Sequence, residues 1–247
     1  MSVRIDLDAV EVYGVDVHAR ARSLKSWVLR LAERQVRIPI LRGVTFHAAP
    51  GDRVAVVGPN GSGKSSLLKV ISGNYPIHAG RRDVSGTVAP LIEMGAGFDG
   101  ELTGRRNIKL SYAVRGRLRD YSREVEQEII EFADLGDKID LPLKTYSVGM
   151  SARLAFSSAI FQRPDILLLD EVLAVGDAAF VAKSRRRLFD QMDHASITLI
   201  VSHGDTDVLR ACSRAILMRD GRVAHEGPPD EICERYAAEA ADSVTTA

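Results

Sequence analysis

Arg53-Val-Ala-Val-Val57-Gly58-Pro59-Asn60-Gly61-Ser62-Gly63-Lys64-Ser65 is the stretch on which the fold turns. An apolar run is followed at once by the pattern GxxxxGK[ST], and Ser65–Ser72 then carries a helical pattern. Strand, glycine loop and helix in that order are the setting in which this motif grips phosphate. The glycines let successive backbone N–H groups turn inward on phosphate oxygens, and the helix start adds its partial positive charge. Lys64 supplies a charge for the β- and γ-phosphates, and the Ser65 hydroxyl can ligate Mg²⁺. Gly58 through Ser66 is therefore the candidate phosphate-binding stretch.

Working outward, Ile166–Leu169, Ile197–Ser202 and Ala215–Met218 also read as buried strands, and Val88–Ile92 as a weaker one because Pro90 interrupts it. Helical spacing marks Ser122–Leu135, Ser151–Gln162 and Ala178–Met192. Near-continuous apolar strands separated by helices predict an α/β fold with a mostly parallel sheet. Residues 94–163 carry helices and no strong strand signal, which predicts a helical lobe inserted between core segments 1–93 and 164–237. Residues 238–247 are small and polar and are expected to form a frayed tail.

Composition bounds the function. Across 247 residues, 33 Lys+Arg balance 33 Asp+Glu, so no global field draws nucleic acid, and none is expected as a partner. No apolar run approaches the ~20 residues that span a bilayer, and Met1–Val10 has no apolar signal region. Cys212 and Cys233 are too few and too ill-spaced for a disulfide framework or a zinc site. One local cluster stands out. Arg20, Arg22, Lys25, Arg30, Arg34 and Arg37 surround Leu24, Trp27, Val28 and Leu31 at helical spacing, a basic amphipathic helix over about 18–37. Such a helix suits a membrane interface, or a core-packed face with a solvated back.

The apolar run Ile166–Leu169 ends in Asp170-Glu171. Strands of an open α/β sheet deliver functional residues at their C-terminal ends. Asp170 can hold Mg²⁺, and Glu171 is the natural base for a water attacking the γ-phosphate. His203 follows the run Ile197–Ser202 and is expected on the same rim.

Between these motifs lies Tyr146-Ser147-Val148-Gly149-Met150, 23 residues from Ser147 to Asp170, followed by a helical pattern. The order of phosphate loop, this stretch, acidic pair, Ala174-Val-Gly-Asp177 and His203 resembles that of ABC transporter ATPases over about residues 40–235. The resemblance implies a RecA-like core, an N-terminal antiparallel β portion, and one nucleotide-binding domain over 1–237. It also implies ATP and Mg²⁺ as cofactors and a head-to-tail dimer of two copies. There Ser147 and Gly149 would meet the γ-phosphate on the partner's phosphate loop, and Asp177 would lie in the loop coupling the two sites. Most members have a Gln in the loop entering the helical lobe, where Glu93 stands here near the metal. Glu93, the Ser-x-Gly-Met signature and the run Asp170–Asp177 (DEVLAVGD) look like the polysaccharide exporter subgroup.

That subgroup moves lipid-linked O-antigen, capsule or teichoic-acid polymers. It implies integral membrane subunits as partners and a peripheral place on the cytoplasmic face of the membrane. A lipid-linked glycan would lie at the basic helix. Tyr13 is the candidate for stacking on adenine, with an ordinary core or surface tyrosine as the alternative. Only about 44 residues follow His203, so an appended C-terminal glycan-reading sandwich is not expected. A different cargo, a soluble regulatory ATPase and a nucleotide switch without turnover remain the alternatives.

Overall fold

The computed structural model describes residues 2–15, 37–91, 95, 97–170, 177–201 and 209–245. The described elements, in chain order, are β1 (Arg4–Val15), β2 (Arg37–Ala48), β3 (Arg53–Val57), α1 (Lys64–Ile71), β4 (Ala79–Ser85) and β5 (Val88–Leu91). They continue with α2 (Gly104–Val114), α3 (Arg123–Ala133), α4 (Val148–Ile160), β6 (Ile166–Asp170), α5 (Ala178–His194), β7 (Ile197–Val201), β8 (Arg214–Arg219), β9 (Arg222–Gly227) and α6 (Pro229–Thr245). Two compact units contain them, Met1–Ser85 with Val201–Ala247, and Gly86–Ile200.

In the first unit, β2, β1 and β4 form an antiparallel sheet in that order. The buried residues of β1 are Ile5 and Leu7, then Val10 and Val12. The alternation slips by one residue between Leu7 and Val10, where the pairing shifts register and Ala9 adopts φ 46°. A bulge there returns the apolar side chains to one face of the sheet. β3 pairs in parallel with β8, with Val54 opposite Arg214 and Val57 opposite Leu217. β8 turns back on β9 through Asp220 and Gly221, both at positive φ, a two-residue Asp-Gly hairpin.

In the second unit β5 pairs in parallel with β6. Pro90, opposite Leu168, is accommodated because β5 is an edge strand with β6 as its one neighbour among the described residues. Asp165 locks the pair at its start: the Thr87 N–H and hydroxyl both donate to its Oδ2, at 2.7 and 2.8 Å. These two bonds hold the Asp165 carboxyl below the usual carboxylate range. Helices α2, α3 and α4 bury Ile108, Tyr112, Ile129, Ala133 and Leu154 in a core of their own. Ser122 caps α3 by accepting the Val125 N–H, and Asp134 ends it at φ 54°.

The parallel pairs, the N-terminal antiparallel sheet and the helices within 94–163 follow the fold read from sequence. Two boundaries move. The second unit takes in β5, β6, α5 and β7 as well as the helices, because α4 packs on β5. The tail expected at 238–247 is helical through Thr245. Ala and Glu dominate Tyr236–Ala241, Pro229 opens the helix, and Asp230 and Glu231 complement its dipole. The basic segment around Trp27 lies outside the described residues.

Candidate functional site

The phosphate loop leaves the end of β3 at Gly58 and enters α1 at Lys64. Gly58 sits at φ 144°, and a Cβ there would lie 2.2 Å from the Met218 carbonyl oxygen on β8. Only glycine lets the loop pass that close to the neighbouring strand. Lys64 is buried, 6% exposed, and its Nζ donates to the Gly58 and Pro59 carbonyls at 2.8 and 2.9 Å. The ammonium is thereby drawn back over the start of its own loop. Gly63 precedes α1 at φ 102° and, as a glycine, supplies no side-chain cap to its first turn. No acidic residue lies in that turn, and Ser65 is exposed on it. Ser62 is buried, and its Oγ has no hydrogen-bond partner among the described residues.

The β8–β9 hairpin braces this loop. The Gly221 N–H donates to the Ser62 carbonyl at 3.0 Å, and the Gly221 carbonyl accepts the Arg42 N–H at 2.8 Å. Gly221 carried no expectation from the sequence, although Asp220-Gly221 after the apolar run Ala215–Met218 is a hairpin signal. Tyr13 lies in the same unit on β1. Its hydroxyl donates to Glu11 Oε2 at 2.7 Å, which raises its pKa, and its ring stands edge-on to His78 with centroids 5.5 Å apart. Among the described residues no hydrogen bond joins Tyr13 to the phosphate loop.

In the second unit, Ser147, Gly149, Met150, Arg153 and Asp177 line one cleft of about 670 Å³. Ser147 caps α4 by accepting the Met150 N–H at 3.2 Å. Val148 is 88% exposed on the first turn, and nothing lies within 4 Å of a Cβ built at Gly149. Asp177 caps α5 by accepting the Phe180 N–H at 2.8 Å. That bond first, and then the Arg153 guanidinium, hold its carboxyl below the usual range. Two motifs that stand 28 residues apart by number, Ser147–Gly149 and Asp177, are thus brought to one surface. Asp170 ends β6, half-buried, at the C-terminal edge predicted for it. Glu93, Glu171 and His203 lie outside the described residues. No helix among the described residues is long and apolar enough to cross a membrane.

The family model described as ABC transporter matches residues 41–174. The teichoic acids export ATP-binding protein TagH of Lactococcus lactis is 40% identical over 196 residues, 79% of this chain and 42% of that protein. The O-antigen export system ATP-binding protein RfbB of Myxococcus xanthus is 39% identical over 220 residues, 87% of this chain and 50% of that protein. The chain thus spans about half the length of these two curated relatives. It spans more of the RfbB protein of Klebsiella pneumoniae, 40% identical over 79% of this chain and 80% of that protein. Among solved structures, an ATP-binding subunit of an ABC transporter superposes with TM-score 0.68 at 20% identity, over 94% of this chain and 93% of that one. A dimeric ATP-binding cassette in a post-hydrolysis state, bound to ADP and Pi, does so with TM-score 0.68 at 20% identity, over 91% of this chain and 98% of that one. These two likenesses speak to the fold, and the family match and the Klebsiella relative speak to descent: the chain belongs to the ABC transporter family.

Proposed function

We propose that this chain is the ATP-binding and ATP-hydrolysing motor subunit of a transporter that exports a lipid-linked polysaccharide across the cytoplasmic membrane. The observation that carries the nucleotide half of this reading is the glycine loop itself. It runs from β3 into an uncapped helix start, with the Lys64 ammonium resting on the Gly58 and Pro59 carbonyls. Phosphate oxygens of ATP would take backbone N–H groups of the loop and draw the ammonium toward the β- and γ-phosphates.

Mg²⁺ fits the donors. The Ser65 hydroxyl and the Asp170 carboxylate are hard oxygen ligands. Nucleotide phosphates and water would complete the shell. The ion would neutralise charge on the β- and γ-phosphates. Glu171 would accept the proton of the attacking water, and His203 would donate to a γ-phosphate oxygen. Glu93 would stand beside the metal, and Tyr13 would stack on adenine.

Two copies would close head to tail, the Ser147 and Gly149 of one meeting the nucleotide on the other's phosphate loop. Asp177 would link the two sites. Exposed Val148, at a position where a smaller residue would approach phosphate more closely, would loosen that closure. The relatives named for O-antigen and teichoic acid export support the cargo class, integral membrane subunits as partners, and a peripheral place at the cytoplasmic face. The basic segment at 18–37 would meet anionic headgroups or a pyrophosphate-linked lipid.

ATP turnover and capture from membranes test the two halves. Purified protein is expected to hydrolyse ATP. Lys64→Ala should abolish nucleotide binding, and Glu171→Gln should bind ATP yet hydrolyse it about 100-fold or more slowly. A parent that binds no ATP overturns the motor reading. Capture from detergent-solubilised native membranes should retain a protein with several spanning helices together with a glycolipid. A membrane partner without glycan would discard the polysaccharide cargo and keep the motor.

A further inference from the structure

Arg153 makes three contacts that the nucleotide reading does not use. It projects from the second turn of α4, and its side chain is 20% exposed. One guanidinium nitrogen, Nη2, donates to the Asp177 carboxylate at the start of α5. The other, Nη1, lies 3.6 Å from Asp134 Oδ2, where α3 ends in the left-handed turn. The guanidinium plane sits over the Phe180 ring, 5.1 Å from its centroid, and Phe180 is the residue whose N–H Asp177 caps. One planar side chain therefore gathers the end of α3, the start of α5 and the helix that begins at Ser147.

We propose that Arg153 is a positioning residue for ATP hydrolysis, holding Asp177 at a fixed distance from the Ser147–Gly149 turn so that both face the partner's nucleotide as one body. This rests on the function proposed above. The Asp177 side chain is 58% exposed, and so exposed an ion pair contributes little to stability. Its effect is geometric: two groups on different helices are held in one register, where a displacement of an ångström is enough to spoil a reacting arrangement. Arg is better suited to this than Lys, because its planar fork can meet two carboxylates and a ring face together, whereas an ammonium supplies the charge alone.

The test is a double-mutant cycle on the full chain, read by ATP turnover, by titration with a fluorescent ATP analogue and by thermal unfolding. Arg153→Gln should lower kcat about tenfold or more while leaving analogue affinity and the melting temperature near the parent's. Asp177→Asn keeps an oxygen to cap α5 but loses the ion pair, and should lower kcat to a similar degree. The double variant should be no slower than the slower single one. Arg153→Lys should recover part of the lost turnover.

A kcat for Arg153→Gln within about twofold of the parent overturns the proposal, as do losses that multiply in the double variant. Should Arg153→Gln unfold at a lower temperature, Arg153→Lys and Asp177→Asn carry the test, and parental turnover in both overturns it. A parent without ATPase activity would defeat the motor reading before any variant is compared, so the two failures are distinct.

Discussion

At the residue scale, neighbouring glycines of the phosphate loop are not equivalent. Gly58 has a carbonyl oxygen 2.2 Å from where a Cβ would be, at φ 144°, whereas Gly61 has open space at φ 78°. Gly58→Ala must push β3 from β8 or reshape the loop, and should destabilise the protein by about 2–3 kcal/mol and abolish ATP binding. Gly61→Ala meets only backbone strain, about 1 kcal/mol, and should retain measurable binding. Thermal unfolding with an ATP-analogue titration ranks them; equal losses would show that the Met218 contact is not what demands glycine at 58. Asp165 gives a pH signature of a different kind. Its pKa is lowered in the folded state by the Thr87 N–H and hydroxyl. Its contribution is therefore complete above the unfolded carboxylate pKa and is lost as the pH falls through the lowered native value. The stability difference between the parent and Asp165→Asn should shrink from about pH 6 to about pH 3 in denaturant titrations. A constant difference would mean that charge plays no part in the lock.

At the element scale, the turn Asp99–Thr103 that leads into α2 is gathered by one buried amide, that of Asn107. Asn107 Oδ1 accepts the Asp99 N–H at 2.7 Å, and Nδ2 donates to the Asp99, Leu102 and Thr103 carbonyls at 2.9, 3.2 and 3.1 Å. Asn107→Ala strands the Asp99 N–H, while the three carbonyls keep the Leu102, Leu143 and Asn107 backbone N–H groups, and should cost about 1–3 kcal/mol. Amide exchange should quicken first at residues 99–103, and uniform loss of protection along α2 and α3 would contradict this local role. Such elements also show what the sequence could reveal. β3, β6, β7 and β8 were legible because each is a short, unbroken apolar run buried on both faces. β1 was not, because the bulge at Asp8–Ala9 breaks its alternation, and β2 was not, because most of its residues are exposed. The phosphate loop was legible because its chemistry is contiguous. The role of Arg153 was hidden because its partners Asp134 and Asp177 lie on other helices, and only the fold brings them together.

At the scale of the whole molecule, neither the phosphate loop nor the Ser147–Gly149 surface is a complete nucleotide site under the proposed mechanism. Under it each copy would bring a phosphate loop to one ATP and a Ser147–Gly149 surface to the other, so a second copy would complete both sites. Association should therefore be driven by ATP and reversed by its hydrolysis, since a ligand that binds the closed state better shifts the population toward it. Glu171→Gln makes this visible by letting ATP bind and accumulate. In light scattering, Glu171→Gln with Mg²⁺ and ATP should double in mass, and should return to a monomer with ADP. Lys64→Ala should stay monomeric with either nucleotide. Adding Val148→Ser to Glu171→Gln should tighten the ATP-bound dimer, because it removes an exposed apolar branch from the turn that would approach phosphate. The same added substitution leaves Lys64 and the β3–α1 loop untouched, so affinity for the nucleotide in the monomer should not change. A dimer that forms equally well without nucleotide would place the contact between copies on some other surface. A tighter dimer with Val148 than with Ser would mean that the valine packs against the partner rather than holding it away.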